Sequence, residues 1–451
     1  MKNRFLDRLV RSFSENVHGL LDRFRPPEKE ERDIAALAEA LLSGRKEASD
    51  VAAARAFLDS YERLTETDRL SFLVVLDREF GLDQARLQKA LRNLRDQPTA
   101  RTAREMHEAA EPRRVELFRR INLAKGGTKG LLRMREDVLR NLPAHLELSA
   151  VDEDFKLLFA SWFNRGFLVL SRLDWTTPAN ILEKIIRYEA VHEIAGWDDL
   201  RRRLEPTDRR CFAFFHPTME DEPLIFVAVA LAPGVPDAIG PLLANDRDPL
   251  PAAEATTAVF YSISSCQAGL KGVPLGDFLI KQVVEELRQE LPSLKTFVTL
   301  SPVGGFLRWL AQERAKEVSD YLAEEDRSAL ALLDRPDWHL DPDADGMLKP
   351  RLLPAVAAYL LAARNDAGKP LDPVARFHLG NGARLERICW KGDLSPKGLG
   401  QAAGFMVNYL YELDRMERNR EAFVRHGEIA ASHAVRRHLR AEVRKRSGSP
   451  T

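Results

Sequence analysis

Three short stretches of this chain contain residue types that could do chemistry. The first is "CQAGLKGVPLGDFLIKQVVEEL", Cys266 to Leu287, with Gly269, Gly272 and Gly276 between a strand-like run and a helix-like one. A glycine turn opening into a helix gathers backbone N–H groups around one spot, which suits a phosphate. The spacing is neither G-x-G-x-x-G nor a Walker motif, so both the dinucleotide fingerprint and the P-loop are excluded. The competing reading is a turn that merely packs a helix on a strand. The second stretch is "TFVTLSPVGGF", where Ser301 ends an apolar strand before Pro302 and two glycines. Strand ends in open sheets are where ligands bind, although serine also begins many ordinary turns. The G-x-S-x-G elbow of serine hydrolases is missing. The third is "FHLGNGA", where His378 precedes Asn381 and two glycines in what reads as a tight polar turn. Histidine is the side chain best suited to move a proton near neutral pH; a hydrogen-bonded turn histidine is the plainer alternative. His216, before Pro217, competes less well.

Other motifs fall away. "DPDADG" (341–346) begins like a calcium loop, but Leu352 stands where the bidentate glutamate belongs, so an aspartate-rich turn is expected. "KGGTKG" (125–130) lacks P-loop spacing and a preceding strand, and reads as a loop between helices. No His/Cys/carboxylate cluster has metal spacing.

These residues need elements to hold them. The first third is rich in Ala, Leu, Arg and Glu, in runs such as "IAALAEALLS", "DVAAARAFLDSYERL" and "GLLRMREDVLRNL". It predicts an antiparallel helical bundle to about residue 160. Near Trp162 the texture changes. "RCFAFFHP", "EPLIFVAVALAPG", "TTAVFYSISS" and "LKTFVTLSPVGG" read as strands with helices between or after them, an α+β or α/β texture. A mostly helical stretch runs from about 306 to 370, a possible last strand lies in "DPVARFHLGNGARLERICW", and helices close the chain from about Leu399.

The 451 residues allow two or three domains. A formal net charge of zero argues against a general nucleic-acid binder. Cys211, Cys266 and Cys389 form no disulfide framework, and no apolar run is long enough to cross a bilayer. "MKNRFLDRLVRSFSENVHGLLDRF" places Phe5, Leu6, Leu9, Val10 and Phe13 near one face of a basic helix, as in a mitochondrial address. Its Asp7, Glu15 and Asp22 favour a first structural helix instead. The expected location is cytoplasmic, with the mitochondrial matrix as the alternative.

Taken in order, "FYSISSCQAGLKGVPLGDFLIKQVVEEL", "LSPVGGFLRWL", "DPVARFHLGNGARLERICW" and "GFMVNYLY" resemble the malonyl-CoA decarboxylase family, over about 162–414. The resemblance implies a helical oligomerisation domain (1–160) followed by a GNAT-like catalytic domain with helical insertions (161–451), α+β overall. It implies a carboxy-lyase that converts malonyl-CoA to acetyl-CoA and carbon dioxide, without biotin or metal. The family's coenzyme A loop falls on Lys271, Gly272, Val273, Pro274, Leu275, Gly276 and Asp277. Pro274 has no N–H, so its neighbours must donate. The family's serine and histidine fall on Ser301 and His378, which are also placed against substrate. Implied partners are the acyl-CoA and further copies of the chain, with no nucleic acid and no membrane. Two other classes stay open: an acyltransferase using the same loop, and a non-catalytic acyl-CoA sensor.

Overall fold

The computed structural model describes residues 34–43, 47–219, 221–273, 279–441 and 443. The chain divides into two compact units, Met1–Asp152 and Glu153–Thr451. In the first, helices follow one another: α1 (Ile34–Ser43), α2 (Glu47–Arg63), α3 (Glu66–Arg78), α4 (Gln84–Asp96), α5 (Ala100–Ala109), α6 (Arg113–Asn122) and α7 (Gly127–Asn141). Thr65, Asp83 and Thr99 begin α3, α4 and α5 by accepting a backbone N–H from the first turn. Phe57, Phe72, Leu76, Phe118, Ile121 and Leu131 fill the core between them. One ion pair is wholly inside: Arg135 Nε donates to Asp152 Oδ1 over 2.9 Å. The stretch 125–130 is only partly the expected loop. Lys125 and Gly126 connect α6 to α7, but Gly127 to Gly130 already form the first turn of α7. The unit boundary falls inside α8 (Ser149–Trp162).

In the second unit come β1 (Val169–Leu173), α9 (Ala179–Tyr188), α10 (Trp197–Leu204), β2 (Arg209–Phe215), β3 (Ile225–Ala232), α11 (Gly240–Leu243), β4 (Thr257–Ser265), α12 (Leu279–Glu290), β5 (Thr296–Thr299) and β6 (Ser301–Pro302). Then follow α13 (Phe306–Ala315), α14 (Glu324–Leu330), α15 (Pro342–Leu361), α16 (Pro373–Gly380), β7 (Arg384–Cys389), α17 (Pro396–Ala402), β8 (Met406–Leu410), α18 (Leu413–His426) and α19 (His433–Arg436). One eight-stranded sheet runs β1-β2-β3-β4-β5-β8-β6, with β7 also on β8. The class is the expected one: an all-α first region, then a mixed sheet with helical insertions.

Every residue of β2 and β3 is buried, which is why β3 and the last five residues of β2, after Arg209 and Arg210, read as continuous apolar runs rather than alternating ones. One sheet face packs Ala213, Phe215, Phe226 and Cys266 against Ile181, Leu182 and Ile185 of α9. The other packs Ala228, Ala230, Val259 and Tyr261 with Val298, Leu300, Cys389 and Met406. Two strands escaped the sequence reading. β1 is a five-residue edge strand in a stretch read only as a change of texture. β8 lies where closing helices were expected, and "MVNYL" has four buried residues in five, so it lacks the alternation that marks a half-exposed strand. "DPDADG" is also more than a turn: Asp341 accepts N–H bonds from Asp343 and Ala344 and so caps α15.

All strand pairs are antiparallel except β4/β5. A parallel pair points both C-terminal ends the same way along the strands. The glycine stretch after β4 and Ser301 after β5 therefore leave from the same end of the strands. Pairing of β4 with β5 stops at Phe260 opposite Thr299. β4 continues to Ser265 while β6 pairs only with β8, through Ser301 and Val407. The sheet thus forks at Ser301.

Candidate active site

Ser301 is the first residue after the fork, and α16 lays His378 against it. Ser301 Oγ lies 3.2 Å from His378 Nε2, although the two are 77 positions apart. Both are buried, with 6% and 3% of their surface exposed. Thr299, two residues before Ser301, accepts the Ser301 hydroxyl proton at 2.8 Å and the Tyr409 backbone N–H at 3.1 Å. Tyr411 Oη lies 2.7 Å from His378 Nδ1. The Tyr409 ring stacks on the imidazole at 4.6 Å between centroids.

The proton inventory fixes the polarity of this chain of contacts. A serine hydroxyl has one proton to give, and that of Ser301 goes to Thr299. Ser301 must then accept from Nε2–H. The neutral ring has its lone pair on Nδ1, so Tyr411 donates its hydroxyl proton there. The order is Tyr411 O–H to Nδ1, Nε2–H to Ser301, Ser301 O–H to Thr299.

Burial alone moves the His378 pKa down from 6.5 to about 3, because taking a cation out of water is costly and no charged neighbour offsets it. The ring is neutral at pH 7. Burial likewise pushes Tyr409 and Tyr411 well above the usual phenol value, so both keep their protons.

The histidine is held from both ends of α16. Asp372 caps the N-terminus, its Oδ1 accepting Ala375 N–H at 2.7 Å. After the C-terminus the chain turns at once, and the N–H groups of Asn381 and Ala383 donate to the His378 carbonyl. Gly382 makes that turn at φ 82°, and a Cβ there would collide with the Met416 backbone, so only glycine fits. The sequence reading put His378 in the turn itself. It stands instead in the last turn of a helix, which an eight-residue segment flanked by proline and glycine signals too weakly to reveal.

Ser301 and His378 are thus brought together. His216 is elsewhere: its two ring nitrogens contact Thr218 Oγ1 at 2.7 Å and the Trp162 carbonyl at 3.1 Å. Of the glycine stretch, Lys271, Gly272 (φ 77°) and Val273 are described; Pro274, Leu275, Gly276 and Asp277 lie outside the described residues. Cys211, Cys266 and Cys389 are free thiols, all buried. Among the described residues no three His, Cys, Asp or Glu side chains converge as a metal site would need, and no helix is long and apolar enough to cross a membrane.

Sequence reasoning missed Thr299, Tyr409 and Tyr411. The available signal was period two: Thr299 with Ser301, and Tyr409 with Tyr411, each occupy one face of an extended segment. Nothing local showed that the two segments would be neighbours. The hydroxyl of Tyr409, whose ring stacks on the histidine, and Oδ1 of Asn381, three residues after it, are buried without a protein partner, positions that call for water or a ligand.

Comparison with known proteins gives a consistent result. The malonyl-CoA decarboxylase C-terminal domain family matches residues 166–449, and the N-terminal domain family matches 80–163. The chain is 35% identical over 403 residues to the mitochondrial malonyl-CoA decarboxylase of Anser anser anser, covering 81% of this chain and 79% of that protein. It is 33% identical over 415 residues to the Rattus norvegicus protein of the same name, covering 84% and 83%. The crystal structure of malonyl-CoA decarboxylase from Rhodopseudomonas palustris superposes with a TM-score of 0.87 at 56% identity, over 91% of this chain and all of that one. That from Agrobacterium vitis gives 0.87 at 54% identity, over 90% and 100%. With both domain families matched in order and most of each relative covered, the chain belongs to the malonyl-CoA decarboxylase family, a family of carboxy-lyases.

Proposed function

We propose that this protein decarboxylates malonyl-CoA to acetyl-CoA, and that the Tyr411–His378–Ser301–Thr299 chain carries the proton chemistry. The observation that supports this most is the ordered set of contacts around one buried, neutral imidazole. Malonyl-CoA has a carboxylate beta to a thioester carbonyl. When the carbon–carbon bond breaks, carbon dioxide leaves and the electron pair enters the carbonyl as an enolate. The thioester is itself the electron sink, so the reading requires neither biotin nor a metal. The breaking bond must align with the carbonyl π system, the enolate oxygen needs a donor, and the alpha carbon needs one proton.

His378 Nε2–H supplies that proton. A thioester enolate is a far stronger base than an imidazole ring anion, so a neutral donor suffices. As Nε2 loses its proton, the Tyr411 O–H proton moves to Nδ1, and the ring remains neutral. A proton from water then restores the phenol and the starting tautomer. When substrate binds, Ser301 turns its hydroxyl proton from Thr299 to the malonyl carboxylate or thioester and so positions it; by family resemblance it is the formal proton acceptor. A covalent acyl-serine has no place, because no acyl group is transferred. The loop 271–277 holds the coenzyme A pyrophosphate, and binding at that remote group helps orient the reacting end. The helical unit supports association into a homo-oligomer. The basic segment before residue 34 lies outside the described residues and separates the cytoplasmic reading from the matrix alternative.

The test is malonyl-CoA alone with the purified protein, without ATP, biotin or added metal, followed by chromatography for acetyl-CoA. Stoichiometric conversion, lost in His378→Ala, is expected. Intact malonyl-CoA would overturn the reading; coenzyme A binding in the same sample would then favour the acyltransferase or sensor.

A further inference from the structure

The serine and the histidine come from segments far apart in sequence, so something must set their spacing. The structure assigns this to a brace made by Tyr359 and Asp372, which we propose as positioning residues for the Ser301–His378 contact. The inference rests on the function proposed above and goes further, to two side chains that touch neither reacting group.

One end of the brace meets the serine's segment. Gly305 stands four residues after Ser301, where the loop enters α13. A Cβ on Gly305 would overlap the hydroxyl oxygen of Tyr359. That hydroxyl cannot swing aside. The Tyr359 ring is buried in α15 and wedged between Phe306, at 5.9 Å between centroids, and Trp309, at 5.2 Å. The loop after Ser301 therefore lies directly on the phenol.

The other end meets the histidine's helix. Tyr359 Oη donates to Asp372 Oδ2 at 3.2 Å. The second carboxylate oxygen, Oδ1, caps α16 through Ala375 N–H. Asp372 is 1% exposed, and a carboxylate so deeply buried is kept only where its hydrogen bonds are made. From Gly305 to the α16 cap the path is one van der Waals contact and two hydrogen bonds. It fixes the height of α16, and hence of His378, above the Ser301 loop. A small displacement of reacting groups from productive geometry can cost about a hundredfold in rate.

The close contact at Gly305 makes the brace testable by rescue. Gly305→Ala forces the added methyl against the phenol. It should lower kcat by about tenfold or more with little change in KM, since the coenzyme A loop is untouched. Tyr359→Phe removes the oxygen and makes room for that methyl, while leaving Asp372 one donor short. It should lower kcat by about three- to tenfold. In the double variant Gly305→Ala should add almost nothing to Tyr359→Phe, because the atom it collides with is gone. Penalties that multiply in the double variant, or a KM that rises in step with the loss of kcat, would overturn the brace. At the other end, Asp372→Asn keeps a capping oxygen and should retain more kcat than Asp372→Ala; equal losses would also count against it. The imidazole NMR signals of His378 offer a reading independent of turnover. They should shift in Gly305→Ala and return toward the Tyr359→Phe position in the double variant. If the wild-type protein leaves malonyl-CoA intact, the proposed function fails, and these signals still decide the brace.

Discussion

Holding His378 neutral inside the fold should make the second unit sensitive to acid, by an amount that follows from its pKa. The unfolded chain binds a proton at His378 near pH 6.5, whereas the folded chain resists until about pH 3. The folded-state value is the lower one, so the unfolded state binds more protons throughout that window. Stability from this group is therefore complete above pH 6.5 and declines as pH falls toward 3. Each pH unit below 6.5 costs about 1.4 kcal/mol, giving a loss of about 3 kcal/mol at pH 4. His378→Gln places a non-titrating polar group there and should lack this loss. Subtracting the variant from the wild type removes the other histidines that burial also lowers, His192, His216 and His438. All six tryptophans (Trp162, Trp175, Trp197, Trp309, Trp338 and Trp390) belong to the second unit, so tryptophan fluorescence in a urea titration reports on that unit. The wild-type-minus-variant difference should fall by about 3 kcal/mol between pH 7 and pH 4. A difference that does not change with pH would mean that the imidazole takes up its proton as readily in the fold as in the unfolded chain, and the reading of a ring held neutral by burial would be wrong.

Other outcomes test other parts of the account. Tyr411→Phe leaves His378 Nδ1 buried without its donor, a loss of about 1–3 kcal/mol; kcat for malonyl-CoA should fall about ten- to a hundredfold, and unchanged kcat would remove Tyr411 from the proton path. Ser301→Ala should reduce kcat while leaving coenzyme A affinity, measured by calorimetry, within about twofold. Gly272→Val puts a β-branched residue at φ 77°, a conformation such residues avoid; KM should rise several-fold with kcat largely kept, and a fall in kcat alone would argue against a pyrophosphate role for the loop. Arg135→Met removes the guanidinium from buried Asp152 and should destabilise the helical unit by about 3–5 kcal/mol. The double variant Arg135→Met/Asp152→Leu should recover most of that loss by circular dichroism melting.

How far the sequence could be read depended on whether the signal was local. Runs rich in Ala, Leu, Arg and Glu marked the helices of the first unit, and β-branched and aromatic runs marked β2 to β5, because composition acts over a few residues. β8 was lost because burial on both faces erases alternation. α16 was lost because a helix of only eight residues, beginning at Pro373 and ending at Gly380, looks like a turn. For the site, Ser301 and His378 could each be suspected from the segment around it. Their contact could not, since it depends on the parallel pairing of β4 with β5 and on β8 entering the sheet. Thr299 and Tyr411 are ordinary residues in a strand and just past one until that packing puts them against the other two.

The position of β8 also bears on how the chain is made. Among the described residues it is the last strand in sequence, yet it is an interior one, flanked by β5 and β6 on one side and β7 on the other. On a ribosome, which releases the N-terminal parts first, the sheet cannot close until residue 410 has emerged. Until then β5 presents an unpaired edge, the kind of surface that recruits other chains. Tyr411, which orients the imidazole, arrives one residue after the strand is complete. A chain cut short before this point would have Ser301 and His378 but neither a closed sheet nor a set tautomer, so premature termination should yield aggregate rather than a weak enzyme.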